Sequence, residues 1–178
     1  TERIHFYGRH AMEMQTERCA LAHGIQTISS TRGMSGHGHN PFSILCETRT
    51  TEDQGYCIGV MPVYSGDHRT DIEVDQKESV RVVTGINRDT FTWYLKPGES
   101  FEPPQVLLAF SGEGLNGLSR RLHGFLRKHI LKQPAGWDRP PVLLNSWEAL
   151  YMNFNEKRIC SLAEEAADLS ADLFVLDD

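Results

Sequence analysis

Short β-rich runs, most of them half apolar and half polar, recur over residues 1–110, and turn residues separate the runs. Alternation over about four to eight residues is typical of a β-strand with one face in water. The alternation in Asp71, Glu73 and Asp75 predicts such a solvent-facing side. Many short strands at this spacing favour an antiparallel β-sandwich. The predicted strands cover residues 23–28, 42–46, 57–64, 71–74, 80–86, 91–95 and 105–110.

A helical period replaces the alternation after Ser111. Two consecutive prolines, Pro140 and Pro141, end the linker that follows and disfavour a helix there. We therefore expect three parts: residues 1–110 in a sandwich domain, 111–141 as helix and linker, and 142–178 as the start of a second domain. The helical stripe consists of Leu115, Leu118, Leu122, Phe125, Leu126 and Ile130.

The second part has the pattern of a strand, a helix and a strand. Residues 142–147 and 173–176 are largely apolar, which is typical of parallel strands buried on both faces. Asn155 is suited to cap a helix that begins at Glu156. The pattern predicts a βαβ unit of a parallel sheet. Its helix is expected to turn inward Ile159, Leu162, Ala163, Ala166 and Leu169.

Polar and aromatic residues follow both predicted parallel strands. In parallel α/β folds, ligands bind at the carboxyl ends of the strands. Here that edge carries Trp147 after the first strand, and Asp177 and Asp178 after the second. Carboxylates accept hydrogen bonds from sugar hydroxyls, and an indole ring packs against the apolar face of a pyranose. A turn or helix cap, a core tryptophan, and a Mg²⁺ site are the alternative interpretations.

Composition and charge narrow the function classes. The net charge of −6 argues against binding to a nucleic-acid backbone, and the 39% of hydrophobic residues support a packed core. The four cysteines form no CxxC pair, and no apolar run approaches the length of a membrane span. We expect a reduced, cytoplasmic protein. The histidines at 23, 37 and 39 fit no zinc spacing, and we expect a loop role in or near a subunit contact.

Several stretches resemble glycoside hydrolase family 36, the bacterial α-galactosidases, in the same order along nearly the whole chain. They are RGMSGHGHNPF, TTEDQGYCIGVMPVYSGD, GINRDTFTWYLKPGESFEPPQVLLAFSGEGLNGLSRRLH, PPVLLNSWEALYMNFNEKRI and LFVLDD. The resemblance implies an antiparallel β-supersandwich followed by the first βαβ unit of a (β/α)8 TIM barrel. In the family pattern, Gly-Trp-Phe follows the two acids, so we expect the chain to be a fragment of a longer protein.

The resemblance also implies the activity of the parent protein and its site. That protein would be a retaining α-galactosidase acting on terminal α-linked galactose of melibiose- and raffinose-type oligosaccharides. Asp177 and Asp178 would bind galactose hydroxyls, and Trp147 would line the pocket. The nucleophile and the acid/base are expected beyond residue 178, so the chain by itself should be inactive. The family needs no metal or cofactor and commonly forms homotetramers; nucleic-acid and membrane partners are not expected.

Two alternatives to hydrolysis stay open at this stage. A transglycosylase of the same family would pass galactose to a sugar acceptor, and a non-catalytic sandwich module would bind sugar within residues 1–110. The chain departs from the family pattern at Leu150, which bears on the pocket rim, and at Ser170, where glycine is the preferred helix C-cap. Neither departure contradicts the resemblance.

Overall fold

A computed structural model describes residues 1–132 and 139–177 of the chain. The chain divides into two units, Thr1–His129 and Ile130–Asp178. Antiparallel sheets and one long helix form the first unit, and a parallel strand pair with its helices forms the second.

Two antiparallel sheets make up the sandwich of the first unit. The larger sheet has the order β2-β1-β4-β5-β8 and the smaller sheet has the order β3-β6-β7. In β1, the side chains of Ile4 and His5 point to opposite faces, as the two-residue period of a strand requires. The strands are β1 Glu2–Arg9, β2 Met12–Ala20, β3 Gly24–Ser29, β4 His39–Cys46, β5 Cys57–Pro62, β6 His68–Val74, β7 Val80–Ile86 and β8 Val106–Ser111.

The apolar core of this unit lies between the larger sheet and helix α1, Gly114–Phe125. Apolar residues three and four positions apart give the helix one apolar face, and Leu118 and Leu122 of that face are buried. A π-helical turn, Leu126–Ile130, continues the chain beyond α1. The buried cluster consists of Ile4, Ile44, Cys46, Cys57, Leu118 and Leu122.

The second unit contains the expected parallel strand pair. Strand β9, Leu143–Asn145, pairs in parallel with β10, Leu173–Val175, and Asn145 lies opposite Val175. A short helix α2, Trp147–Leu150, follows β9, and helix α3, Glu156–Asp168, connects to β10. The Asn155 side chain caps α3 as predicted, because its oxygen accepts a hydrogen bond from the Arg158 backbone N–H.

The structure corrects four details of the sequence interpretation. Residues 91–95 form no strand: Phe91 stacks on Trp93, and both rings contact Phe101 at a tilt instead of joining a sheet. Trp147 begins helix α2 instead of ending a strand. Leu169 is 78% exposed, since α3 ends at Asp168 and Leu169 falls beyond its apolar stripe. Asp71 is buried among hydrogen-bond donors rather than facing solvent.

Candidate functional site at the ends of the parallel strands

The carboxyl ends of β9 and β10 bring two of the three predicted site residues to one edge. Both strands run in the same direction, so the residues that follow Asn145 and Val175 leave the sheet together. Trp147 follows β9 by two positions and Asp177 follows β10 by two positions. Asp178, the third predicted residue, lies outside the described residues.

The side chain of Asn145 connects the two strand ends. Its Nδ2 atom donates a hydrogen bond to Oδ2 of Asp177 over 2.7 Å. Its Oδ1 atom accepts a hydrogen bond from the backbone N–H of Trp147, also over 2.7 Å. One amide group therefore fixes the Asp177 carboxylate and the first turn of α2 at the same time.

Ser146 holds the backbone around the same edge. The residue is 2% exposed, and its N–H donates to the Val175 carbonyl over 2.9 Å, which extends the parallel pairing by one bond. Its hydroxyl oxygen accepts a hydrogen bond from the Asp177 backbone N–H over 3.1 Å. Backbone and side chain of Asp177 are thus anchored separately, by Ser146 and by Asn145.

Tyr151 supports the indole ring of Trp147, a contact that the sequence analysis missed. The two rings meet edge to face, with centroids 5.4 Å apart and an interplanar angle of 80°. The Tyr151 hydroxyl donates to Glu148 over 3.1 Å, and this bond raises the pKa of the tyrosine. The spacing of four residues between Trp147 and Tyr151 could have predicted this contact, because residues four apart are neighbours along a helix.

At the amino ends of the same two strands, Asp172 has a structural role. Arg139 donates to both carboxylate oxygens of Asp172, over 2.8 and 3.1 Å, and the Val142 N–H donates to the same carboxylate over 2.8 Å. The Arg139 hydrogen bond is the main cause that lowers the pKa of Asp172. Asp172 therefore holds β9 and β10 together at the end opposite Asp177.

The histidine-rich stretch has no metal-site geometry in the structure. Across residues 1–132 and 139–177, no three His, Cys, Asp or Glu side chains converge as metal ligands. The carbonyl of His39 instead accepts a hydrogen bond from the buried His68 ring, 3.0 Å away, and burial lowers the pKa of His68. None of the helices in the described part of the chain is both long and apolar enough to cross a membrane.

The residues that follow β9 and β10 include an indole and a carboxylate, two side-chain types that can contact a sugar. A carboxylate accepts hydrogen bonds from hydroxyl groups, and an indole ring packs against the apolar face of a pyranose. Trp147 and Asp177 are both partly buried, so part of each residue stays accessible to solvent.

Two family-wide sequence models match the chain and together cover most of it. The glycosyl hydrolase family 36 N-terminal domain matches residues 1–96, and melibiase matches residues 100–178. Among curated relatives, the chain is 43% identical over 175 residues to the bifunctional alpha-galactosidase/sucrose kinase AgaSK of Mediterraneibacter gnavus, covering 98% of this chain and 19% of the relative. It is also 43% identical to alpha-galactosidase AgaA of Geobacillus stearothermophilus, covering 98% and 24% respectively.

Solved structures give the same result for the fold. The crystal structure of AgaA from Geobacillus stearothermophilus superposes with a TM-score of 0.91 at 42% identity, over 99% of this chain and 25% of that one. The alpha-galactosidase from Lactobacillus brevis gives a TM-score of 0.91 at 40% identity, over 99% and 24%. The chain thus spans about a quarter or less of the length of these relatives. An N-terminal antiparallel sandwich followed by the start of a barrel, with family-specific sequence over its whole length, places the chain in glycosyl hydrolase family 36.

Proposed function

We propose that this chain is part of a retaining α-galactosidase that removes terminal α-linked galactose from melibiose- and raffinose-type oligosaccharides. The observation that carries the proposal is the anchored pair at the strand ends, where Asn145 fixes both the Asp177 carboxylate and the backbone of Trp147. The relatives support the substrate class, since AgaA variants have been crystallised with stachyose, raffinose and 1-deoxygalactonojirimycin.

In the proposed pocket, Asp177 and Asp178 accept hydrogen bonds from galactose hydroxyls, and Trp147 packs against the sugar ring. Asp177 is a binding residue and not one of the reacting pair. A retaining glycosidase needs two carboxyl groups about 5–5.5 Å apart across the scissile bond. Neighbouring residues of an extended chain point to opposite sides, so two adjacent acids are unsuited to that arrangement. The nucleophile and the acid/base would come from elsewhere in the full-length protein.

Replacing Asp177 by Asn in the full-length protein tests this assignment. The substitution keeps the shape of the side chain but removes the charge that accepts the hydroxyl hydrogen bonds. The loss of a hydrogen bond to a charged group, about 1–3 kcal/mol, corresponds to about a 5- to 150-fold lower kcat/KM. Hydrolysis of an aryl α-galactoside measures kcat/KM, and inhibition by galactose measures the affinity for the sugar itself.

Asp172→Asn is the matched control, because Asp172 is an acid at the other end of the same strand pair. It is expected to lower the melting temperature while leaving kcat/KM of the folded enzyme unchanged. An Asp177→Asn enzyme with the kcat/KM of the parent protein would remove Asp177 from the site. Product analysis at high substrate concentration separates hydrolysis, which releases free galactose, from transfer of galactose to a second sugar.

We propose in addition that the full-length protein is a homo-oligomer, with a tetramer as the expected state. The support is the resemblance to the family. Light scattering coupled to size-exclusion chromatography measures the mass of the assembly, and a monomer at micromolar concentration would contradict this proposal.

A further inference from the structure

We propose that Asn145 is a positioning residue for sugar recognition: through its Nδ2 donor it sets the direction in which the Asp177 carboxylate meets the substrate. This inference rests on the proposed function of Asp177. It assigns to Asn145 a role in binding that is separate from any role in folding of the strand end.

The orientation of the Asn145 amide follows from its partners. A backbone N–H only donates, so the atom that faces the Trp147 N–H must be the side-chain oxygen. The nitrogen Nδ2 is therefore the atom 2.7 Å from the Asp177 carboxylate, which only accepts when ionised. Both partners require the same orientation, and a flipped amide would place donor against donor and acceptor against acceptor.

A structural role explains one of these two bonds but not the other. An Asn oxygen that accepts from the N–H two residues onward is a common local turn, and it accounts for the bond to Trp147. A serine, threonine or aspartate also makes that turn. The bond to Asp177 is different, because it spans 32 positions of sequence and needs a side-chain donor, which an ionised aspartate lacks. The anchoring of the Asp177 backbone by Ser146 already fixes the strand end without it.

The geometry also gives the reason why a donor is useful there. A hydrogen bond from a neutral amide holds one carboxylate oxygen without neutralising the charge, so the group stays a strong acceptor for sugar hydroxyls. Since Asn145 is itself fixed by the Trp147 backbone, any movement of the indole-bearing turn moves the carboxylate with it. Asn145 thereby couples the positions of the two proposed sugar contacts.

Replacing Asn145 by Asp in the full-length protein separates the two bonds. Aspartate has the same shape and still accepts the Trp147 N–H at every pH, but it loses the donor to Asp177. Two carboxyl groups then face each other at hydrogen-bond distance. Because two adjacent negative charges repel, the pair keeps one proton, and the pKa for losing that proton is raised. Below that pKa the protonated carboxyl replaces the amide donor, and above it the two negative charges repel.

The expected result is a pH-dependent loss of sugar binding. At about pH 8, kcat/KM of the Asn145→Asp enzyme falls about 10- to 100-fold below that of the parent enzyme, with a parallel loss of galactose inhibition. At about pH 5, the ratio recovers to within a few-fold. Taking the ratio at each pH removes the parent enzyme's own pH profile, including any contribution from the neighbouring titratable pair Glu148 and Tyr151.

Asn155→Asp is the matched control. Asn155 caps helix α3 with a single accepted bond from the Arg158 N–H over 3.1 Å, and aspartate caps a helix as well as asparagine does. The ratio of its kcat/KM to that of the parent enzyme is expected to stay near one at both pH values. If the Asn145→Asp ratio is equally independent of pH, whether near one or uniformly low, the positioning role is refuted. If the parent enzyme and the Asn155→Asp control both lack α-galactosidase activity, the proposed function fails instead.

A double-mutant cycle keeps the inference testable if Asn145→Asp folds poorly. The set consists of Asn145→Ala, Asp177→Asn and the double variant, each assayed for galactose inhibition after its fold is checked by circular dichroism. A residue that acts through Asp177 adds little once Asp177 is changed, so the double variant should bind galactose about as well as Asp177→Asn alone. Additive losses would show that Asn145 does not act through Asp177.

Discussion

The buried carboxylate of Asp71 offers a test of how the smaller sheet is held together. Asp71 is 8% exposed, in the middle of the three-stranded sheet. Thr27 donates to Oδ1 over 2.7 Å, and Nε of Arg69 donates to both oxygens over 2.9 and 3.0 Å. The guanidinium Nη2 of Arg88 lies 3.5 Å from Oδ2 of Asp71. Burial opposes ionisation, but the bonds from Thr27 and Arg69 and the two positive charges outweigh it and lower the pKa of Asp71.

Asp71→Asn keeps the size of the side chain and one accepting oxygen. It loses the second oxygen and the charge that faces Arg69 and Arg88. A hydrogen bond to a charged group contributes about 1.5–3 kcal/mol. Arg69 keeps a second partner in Asp89, 3.1 Å away, so it is not left unpaired. We therefore expect the stability of the smaller sheet to fall by about 2 kcal/mol at pH 7.

Hydrogen exchange of peptides from β3 and β6 measures this loss where it acts. A decrease of about 2 kcal/mol in the local opening free energy speeds exchange about 30-fold. The difference in opening free energy between the parent and Asp71→Asn proteins should shrink as the pH falls. Since folding lowers the pKa of Asp71 from its ordinary value of 3.8, the stabilisation is complete above that value and is lost as the pH falls through the lowered one.

Glu73→Gln is the control on the same strand. Glu73 pairs with Arg81, whose side chain is 71% exposed, and exposed pairs contribute about 0–1 kcal/mol. Equal exchange rates in the Asp71→Asn and Glu73→Gln proteins at pH 7 would refute the assignment of a stabilising role to the buried carboxylate. A difference that persists unchanged at low pH would refute the electrostatic explanation.

Two further predictions concern the backbone at Gly114 and the accessibility of the cysteines. Gly114→Ala is expected to destabilise the chain in urea unfolding by about 1–3 kcal/mol, because φ is +68° and the new Cβ would lie 2.5 Å from backbone atoms of Glu52 and Gln54; unchanged stability would contradict this backbone geometry. In native protein, a thiol reagent should modify the exposed Cys160 quickly, and it should reach Cys46 and Cys57, which are 3% and 1% exposed, only after unfolding. Burial raises the pKa of both buried thiols, so fast native modification of either, located by peptide mass spectrometry, would contradict the packing.

Local patterns were sufficient where each residue's environment is set by its neighbours along the chain. The stripe of α1, the Asn155 cap of α3 and the parallel pairing of the two apolar strands all follow from spacing and residue type. The β1–β2 hairpin was not assigned strand by strand. Nearly all of β2 is exposed, and an edge strand in water lacks the alternation that marks a buried face.

The sequence alone determined the family, the order of sandwich and βαβ unit, and that Trp147 and Asp177 come shortly after the two parallel strands. Motifs in the same order and the period of apolar residues can be read from the chain without its fold. The tertiary structure decided which atoms meet. That Asn145 reaches Asp177, and that Thr27 donates to the buried Asp71, depends on the pairing of strands distant in sequence. Strand pairing sets the partners of a polar side chain, and only those partners decide whether it faces solvent, holds the fold or serves a site.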